Sequence, residues 1–175
     1  DKEEIGSEGS TSLKSTLPEY VVGKMLSLTE KNYNDQILRE TLWNSKALSS
    51  DVTAALNPVF KSVHDVENAA RLSYGLAFAK YTGSRGKVMA NDADAEFIQE
   101  IRQIFDKNDI KYQSGGFGKV DEGGGGTVAK FLAYYGIRTI DAGPALLSMH
   151  SLFEISSKAD LYETYKAYKV FFELK

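Results

Sequence analysis

Apolar residues recur every three to four positions in five stretches of the chain and gather into short, mostly unbroken runs in four others. Residues 15–29 place Leu17, Val21, Val22, Met25, Leu26 and Leu28 at helical spacing, with Pro18 tolerated in the first turn. Residues 34–44 carry Ile37, Leu38, Leu42 and Trp43 on one face. Residues 92–108 form a third helix with Phe97, Ile98, Ile101, Ile104 and Phe105 as its stripe and acidic residues in its first turn, where the helix dipole favours them. Shorter and longer helices are predicted over residues 127–135 and 158–172. Gly136 sits where a glycine commonly ends a helix. The last helix bears Tyr162, Tyr165, Tyr168, Phe171 and Phe172, an aromatic face that reads as core or subunit contact.

The short apolar runs predict strands over residues 47–50, 72–80, 110–113 and 137–141. Between them, Asn57-Pro58 marks a turn, and the polar stretch to Ala70 reads as irregular. Thr82 to Lys87 reads as a basic loop, and Gly143-Pro144 as a turn leading to His150. Helices alternating with short strands predict an α/β fold: a three-layer αβα domain with a central mixed sheet. In such folds the carboxyl ends of strands line the site. Asp51, Lys80 and the loop after Ile140 fall there.

A chain of 175 residues suffices for one domain with a sizeable core. The net charge of −3 gives no electrostatic case for nucleic acid or an anionic membrane. Without cysteine there are no disulfides and no thiolate catalysis, which fits a cytoplasmic protein. No apolar run approaches the roughly 20 residues that span a bilayer. The first residues are acidic and lack the basic-then-apolar pattern of a secretory signal. The sequence opens on Asp1 without Met, inside a functional-looking motif, so it is expected to be the C-terminal part of a longer chain.

Three separated segments carry the candidate chemistry: Asp1-Lys2-Glu3-Glu4-Ile5-Gly6-Ser7, Ser50-Asp51-Val52 and Leu147-Ser148-Met149-His150-Ser151. Carboxylates plus an imidazole are the usual donors for a hydrolytic zinc or manganese ion. A second carboxylate beside a ligating one can act as general base toward a metal-activated water. Each segment also has a plain structural reading. Glu3-Glu4 alone reads as an exposed acidic pair, Asp51 as a strand-end or capping residue, and His150 as a hydrogen-bonded loop histidine. His64, the other histidine, lies in a polar stretch and reads as surface. The run Gly123 to Gly126 before a helix could cradle phosphate. It lacks the Lys-Ser/Thr ending of a P-loop and the spacing of a dinucleotide fingerprint. Close approach of a peptide backbone to Gly125, Gly126 and Thr127 is the better reading.

The same three segments, in that order, resemble the zinc aminopeptidases of the aspartyl aminopeptidase / aminopeptidase I group. The runs Val120 to Thr127 and Ile155 to Tyr162 resemble its bacterial branch, and the resemblance extends over essentially the whole chain. It implies a zinc-exopeptidase-like fold, a cofactor of two Zn²⁺ ions (Mn²⁺ or Co²⁺ as substitutes) and peptide substrates cut at the N-terminal bond. It implies Glu3 as general base, Glu4 and His150 as ligands of one ion, and Asp51 as a ligand of the other. An upstream histidine, a bridging aspartate and an inserted dimerisation domain of the family have no counterpart in this sequence. The resemblance further implies a homo-oligomer, in the family a tetrahedral dodecamer. Lys80 matches a lysine that contacts acidic substrate side chains, with broad neutral specificity as the alternative. Because the ligand set is incomplete, a non-catalytic scaffold of the same fold is the rival reading.

Overall fold

The structure is a computed structural model that describes residues 5–85, 88–116, 118–119 and 121–174. Glu3 and Glu4 therefore lie outside the described residues, as do Lys87 of the basic segment and Val120 before the glycine run.

The helices are α1 (Leu17–Thr29), α2 (Asp35–Trp43), α3 (Ala95–Lys107), α4 (Ala129–Tyr134) and α5 (Lys158–Phe172). The strands are β1 (Lys46–Ser49), β2 (Thr53–Ala54), β3 (Leu76–Ala79), β4 (Tyr81–Ser84), β5 (Val88–Asp92), β6 (Tyr112–Ser114), β7 (Arg138–Gly143), β8 (Ala145–Leu147) and β9 (Ile155–Ser156). The main sheet runs β1-β7-β3-β6 and is mixed: β1 is parallel to β7, β7 antiparallel to β3, and β3 parallel to β6. A small sheet joins β2, β8 and β9, and β4 pairs with β5 as a hairpin. This is the α/β architecture that the alternating pattern predicts.

Helix ends follow local chemistry. The Asn34 side chain accepts hydrogen bonds from the N–H groups of Gln36 and Ile37 at the start of α2, and Asp94 accepts from the N–H of Phe97 at the start of α3. Phe97, Ile101 and Phe105, four residues apart, turn inward from α3. They meet Leu76 and Phe78 of β3, Ile140 and Ala142 of β7, and Ala167 of α5 in the principal core. The intervening β3 residue Ala77 faces the other way, onto Ala55, Ala70 and Ala145. Bulky residues thus meet the helices, while alanines let the second sheet and its neighbouring segments approach closely.

Four features depart from the sequence pattern. Leu72 to Gly75 is not strand: Ser73 and Gly75 have φ of 68° and 92°, and the strand begins at Leu76. Residues 82–84 are strand β4 and not loop. Gly143-Pro144 does not reverse the chain. It is where β7 leaves the main sheet and β8 enters the small one, next to a residue with no N–H to donate. His64 is buried and not at the surface; its Nε2 accepts the Asn57 N–H at 3.3 Å.

Among the described residues β1 is an outer strand of the main sheet. Beside it, Leu48, Tyr168, Phe171 and Phe172 line an apolar groove. On α1, Tyr20, Val21, Met25 and Leu28 are exposed.

Candidate active site

Asp51 lies in the short link between β1 and β2, half-buried, and its Oδ1 accepts the N–H of Val52 at 2.8 Å. The chain is tight here. A Cβ on Gly143 would stand 2.0 Å from the Asp51 carbonyl oxygen, so only glycine lets β7 pass that close. His150 follows β8 on the exposed loop to β9, at φ 66°, and its N–H donates to the Glu154 carboxylate at 2.6 Å. β2 and β8 run parallel, so Asp51 precedes this strand pair and His150 follows it. Among the described residues no group of three or more His, Cys, Asp or Glu side chains is placed to hold a metal ion. Asp51 and His150 have the right donor chemistry for zinc. Alone they do not complete a site.

Lys80 follows the end of β3, is exposed, and forms an ion pair with Asp92 of β5. It borders a cleft lined also by Asp65, Asn68, Tyr81, Ser114 and Lys119. The glycine run is strapped to β4. Gly83 donates its N–H to the Gly125 carbonyl at 2.9 Å, and Arg85 donates to Gly123 at 2.8 Å. Gly126 abuts the hairpin so closely that a Cβ there would lie 1.9 Å from Cβ of Met89. Thr127 is buried, and its hydroxyl accepts the N–H of Ala129 at 3.2 Å as α4 begins.

Behind these residues sits an acid that sequence reasoning passed over. Asp141 of β7 is 5% exposed and stands opposite Ser49 of β1 and Ala79 of β3 in the ladder. Burial raises its carboxyl pKa to about 6; the charge of Asp51 adds to this, while the nearby hydroxyls of Ser49, Thr127 and Thr82 oppose it. Among the described residues neither carboxylate oxygen has a hydrogen-bond partner, and neither do the Ser49 and Thr82 hydroxyls. The available signal was an aspartate inside an otherwise apolar run, Ile140-Asp141-Ala142.

A family model described as Aminopeptidase I zinc metalloprotease (M18) matches residues 1–172. The chain belongs to the M18 aminopeptidase family. It is 59% identical over 174 residues to a probable M18 family aminopeptidase 1 of Borrelia garinii, covering 99% of this chain and 38% of that protein. A crystal structure of an M18 aminopeptidase from Thermotoga maritima superposes with a TM-score of 0.92 at 50% identity, over 97% of this chain and 38% of that one. The S. cerevisiae mApe1 dodecamer matches with a TM-score of 0.79 at 29% identity, over 99% of this chain and 36% of that one. The chain thus spans well under half the length of the M18 relatives it matches. No helix among the described residues is long and apolar enough to cross a membrane.

Proposed function

We propose that the full-length protein is a metalloaminopeptidase that removes single residues from peptide N-termini. The observation that carries this is the family match over residues 1–172, which takes in all three candidate segments. In this reading the chain is the C-terminal part of one catalytic domain, and the remainder of the protein supplies further ligands and an inserted dimerisation domain. Glu4, Asp51 and His150 contribute to a two-zinc site. Zinc there would supply Lewis acidity and a water of lowered pKa. Glu3 would serve as the general base, taking the proton of the attacking water and returning it to the departing amine. Main-chain groups of Gly125, Gly126 and Thr127 orient the peptide backbone. The similarity to a dodecameric relative supports a homo-oligomer, and the absence of cysteine supports a cytoplasmic setting.

On specificity, the Lys80–Asp92 pair favours a broad neutral preference over an acidic one. Both partners are about half exposed, and Asp92 already meets the charge an acidic side chain would need. The ordering of Leu, Asp, Glu and Lys aminoacyl-nitroanilides by the full-length protein tests this, with Leu expected ahead of Asp and Glu. No hydrolysis of any member with Zn²⁺, Mn²⁺ or Co²⁺ would refute the aminopeptidase reading. The incomplete ligand set among the described residues is the one observation that favours a non-catalytic scaffold. Metal analysis separates the two: about two zinc ions per full-length chain are expected of the enzyme, and none of the scaffold.

A further inference from the structure

Asp141 is an expensive residue to place where it is. A buried carboxylate without a cation or close hydrogen-bond donors is disfavoured, and an apolar side chain would serve a sheet interior better. Such exceptions to core chemistry concentrate at functional sites. Its neighbours give the exception a meaning. Residues opposite one another in a ladder share a face, so Ser49, Asp141 and Ala79 form one row on the side of the sheet away from the principal core. Ser49 lies two residues before Asp51, and Ala79 immediately precedes Lys80. Thr127 closes the glycine run, and Thr82 belongs to β4, the strand whose Gly83 N–H holds the Gly125 carbonyl. Every described candidate residue on this side of the sheet is therefore within two positions of a group beside Asp141. The charged or titratable groups that bear on the same spot are Asp51 and the Tyr168 phenol of α5.

We propose that Asp141 is a positioning residue for peptide hydrolysis: buried in the row it shares with Ser49 and Ala79, and packed beside Thr82 and Thr127, it sets the glycine segment and the Asp51 link relative to one another. It touches no reacting atom. Replacing its charge shifts the bound peptide with respect to the reacting centre, a displacement to which rates are steeply sensitive. The inference rests on the aminopeptidase reading.

The test is steady-state hydrolysis of leucyl-nitroanilide by zinc-loaded full-length protein, with Asp141→Asn, Thr127→Val and the double variant. Each single change should lower kcat by about tenfold or more while KM moves less than about threefold. The double variant should fall no further than the worse single, because both act through one link. Zinc content should hold at the wild-type value in every variant, and the thermal midpoint of Asp141→Asn at the wild-type value or above. Unchanged kcat, losses that multiply in the double variant, a loss that tracks lower zinc content, or a lower midpoint in Asp141→Asn would each overturn the proposal. If Asp141→Asn does not fold, Thr127→Val and Ser49→Ala decide in its place: normal kcat in both overturns it. An inactive wild type sinks the aminopeptidase reading and this inference together; an active wild type with an unaffected Asp141→Asn sinks this one alone.

Discussion

Asp160 is fully buried in the first turn of α5, yet its carboxylate serves a turn 85 residues away in sequence. One oxygen accepts the Gly75 N–H at 2.7 Å and the other the Ser73 N–H at 2.8 Å, fixing the left-handed residues that launch β3. Hydrogen bonds to a charged group contribute about 1.5–3 kcal/mol each, and a buried donor left bare costs a comparable amount. Asp160→Ala strands two N–H groups and should destabilise the protein by about 3–5 kcal/mol. Asp160→Asn keeps one acceptor but turns an amide N–H₂ toward the other donor, so about 2–3 kcal/mol is expected. Urea unfolding of the full-length protein gives the totals. Hydrogen exchange of residues 73–79 gives the location, since loss of the carboxylate should open that segment before the rest. Wild-type exchange at Gly75 in Asp160→Ala would refute the reasoning, whatever the midpoint.

The raised pKa of Asp141 means that the folded state holds its proton up to about pH 6, while the unfolded chain releases it near 3.8. Stability is therefore lost as pH rises through that window, by about 3 kcal/mol. Urea midpoints of metal-free protein should show Asp141→Asn gaining this much on wild type between pH 4 and pH 7; parallel profiles would contradict it. His64 has the opposite sign: burial lowers its pKa, so stability falls as pH drops below about 6.5, and His64→Gln should flatten that limb. Gly126→Ala drives a methyl into Met89 and should lower stability by about 1–3 kcal/mol, partly restored by Met89→Gly at its φ of 60°. A calorimetric comparison of the three variants checks this last pair.

Where the structure rests on local chemistry, the sequence pattern anticipated it closely. The last helix occupies residues 158–172 as its periodicity predicts, and Gly136 ends α4 at φ 79°. The misplaced elements depend on distant partners. Thr82-Gly83-Ser84 has the composition of a loop and becomes strand through β5 and the glycine run. Leu72 to Gly75 has the composition of strand, but Asp160 holds it in a turn. His64 has polar neighbours in sequence, yet the Asn57 turn folds over it. Within the candidate site, the strand end before Asp51 was legible because apolar runs terminate visibly. Asp141 was not, because its surroundings arise from ladder register and from two threonines on other segments. The roles of Glu3 and Glu4 rest on resemblance alone.

The outer position of β1 also bears on how this polypeptide can be handled. A strand partnered on one side presents backbone N–H and C=O groups to any extended segment that meets it. Here that row lies beside the groove of Leu48, Tyr168, Phe171 and Phe172, so an incoming strand gains apolar contact as well as pairing. The 175-residue chain should therefore be sticky: prone to inclusion bodies, to concentration-dependent light scattering and to capture by chaperones. Solubility tags would mask this without curing it. Charged substitutions on the outward side of β1 would be the rational remedy.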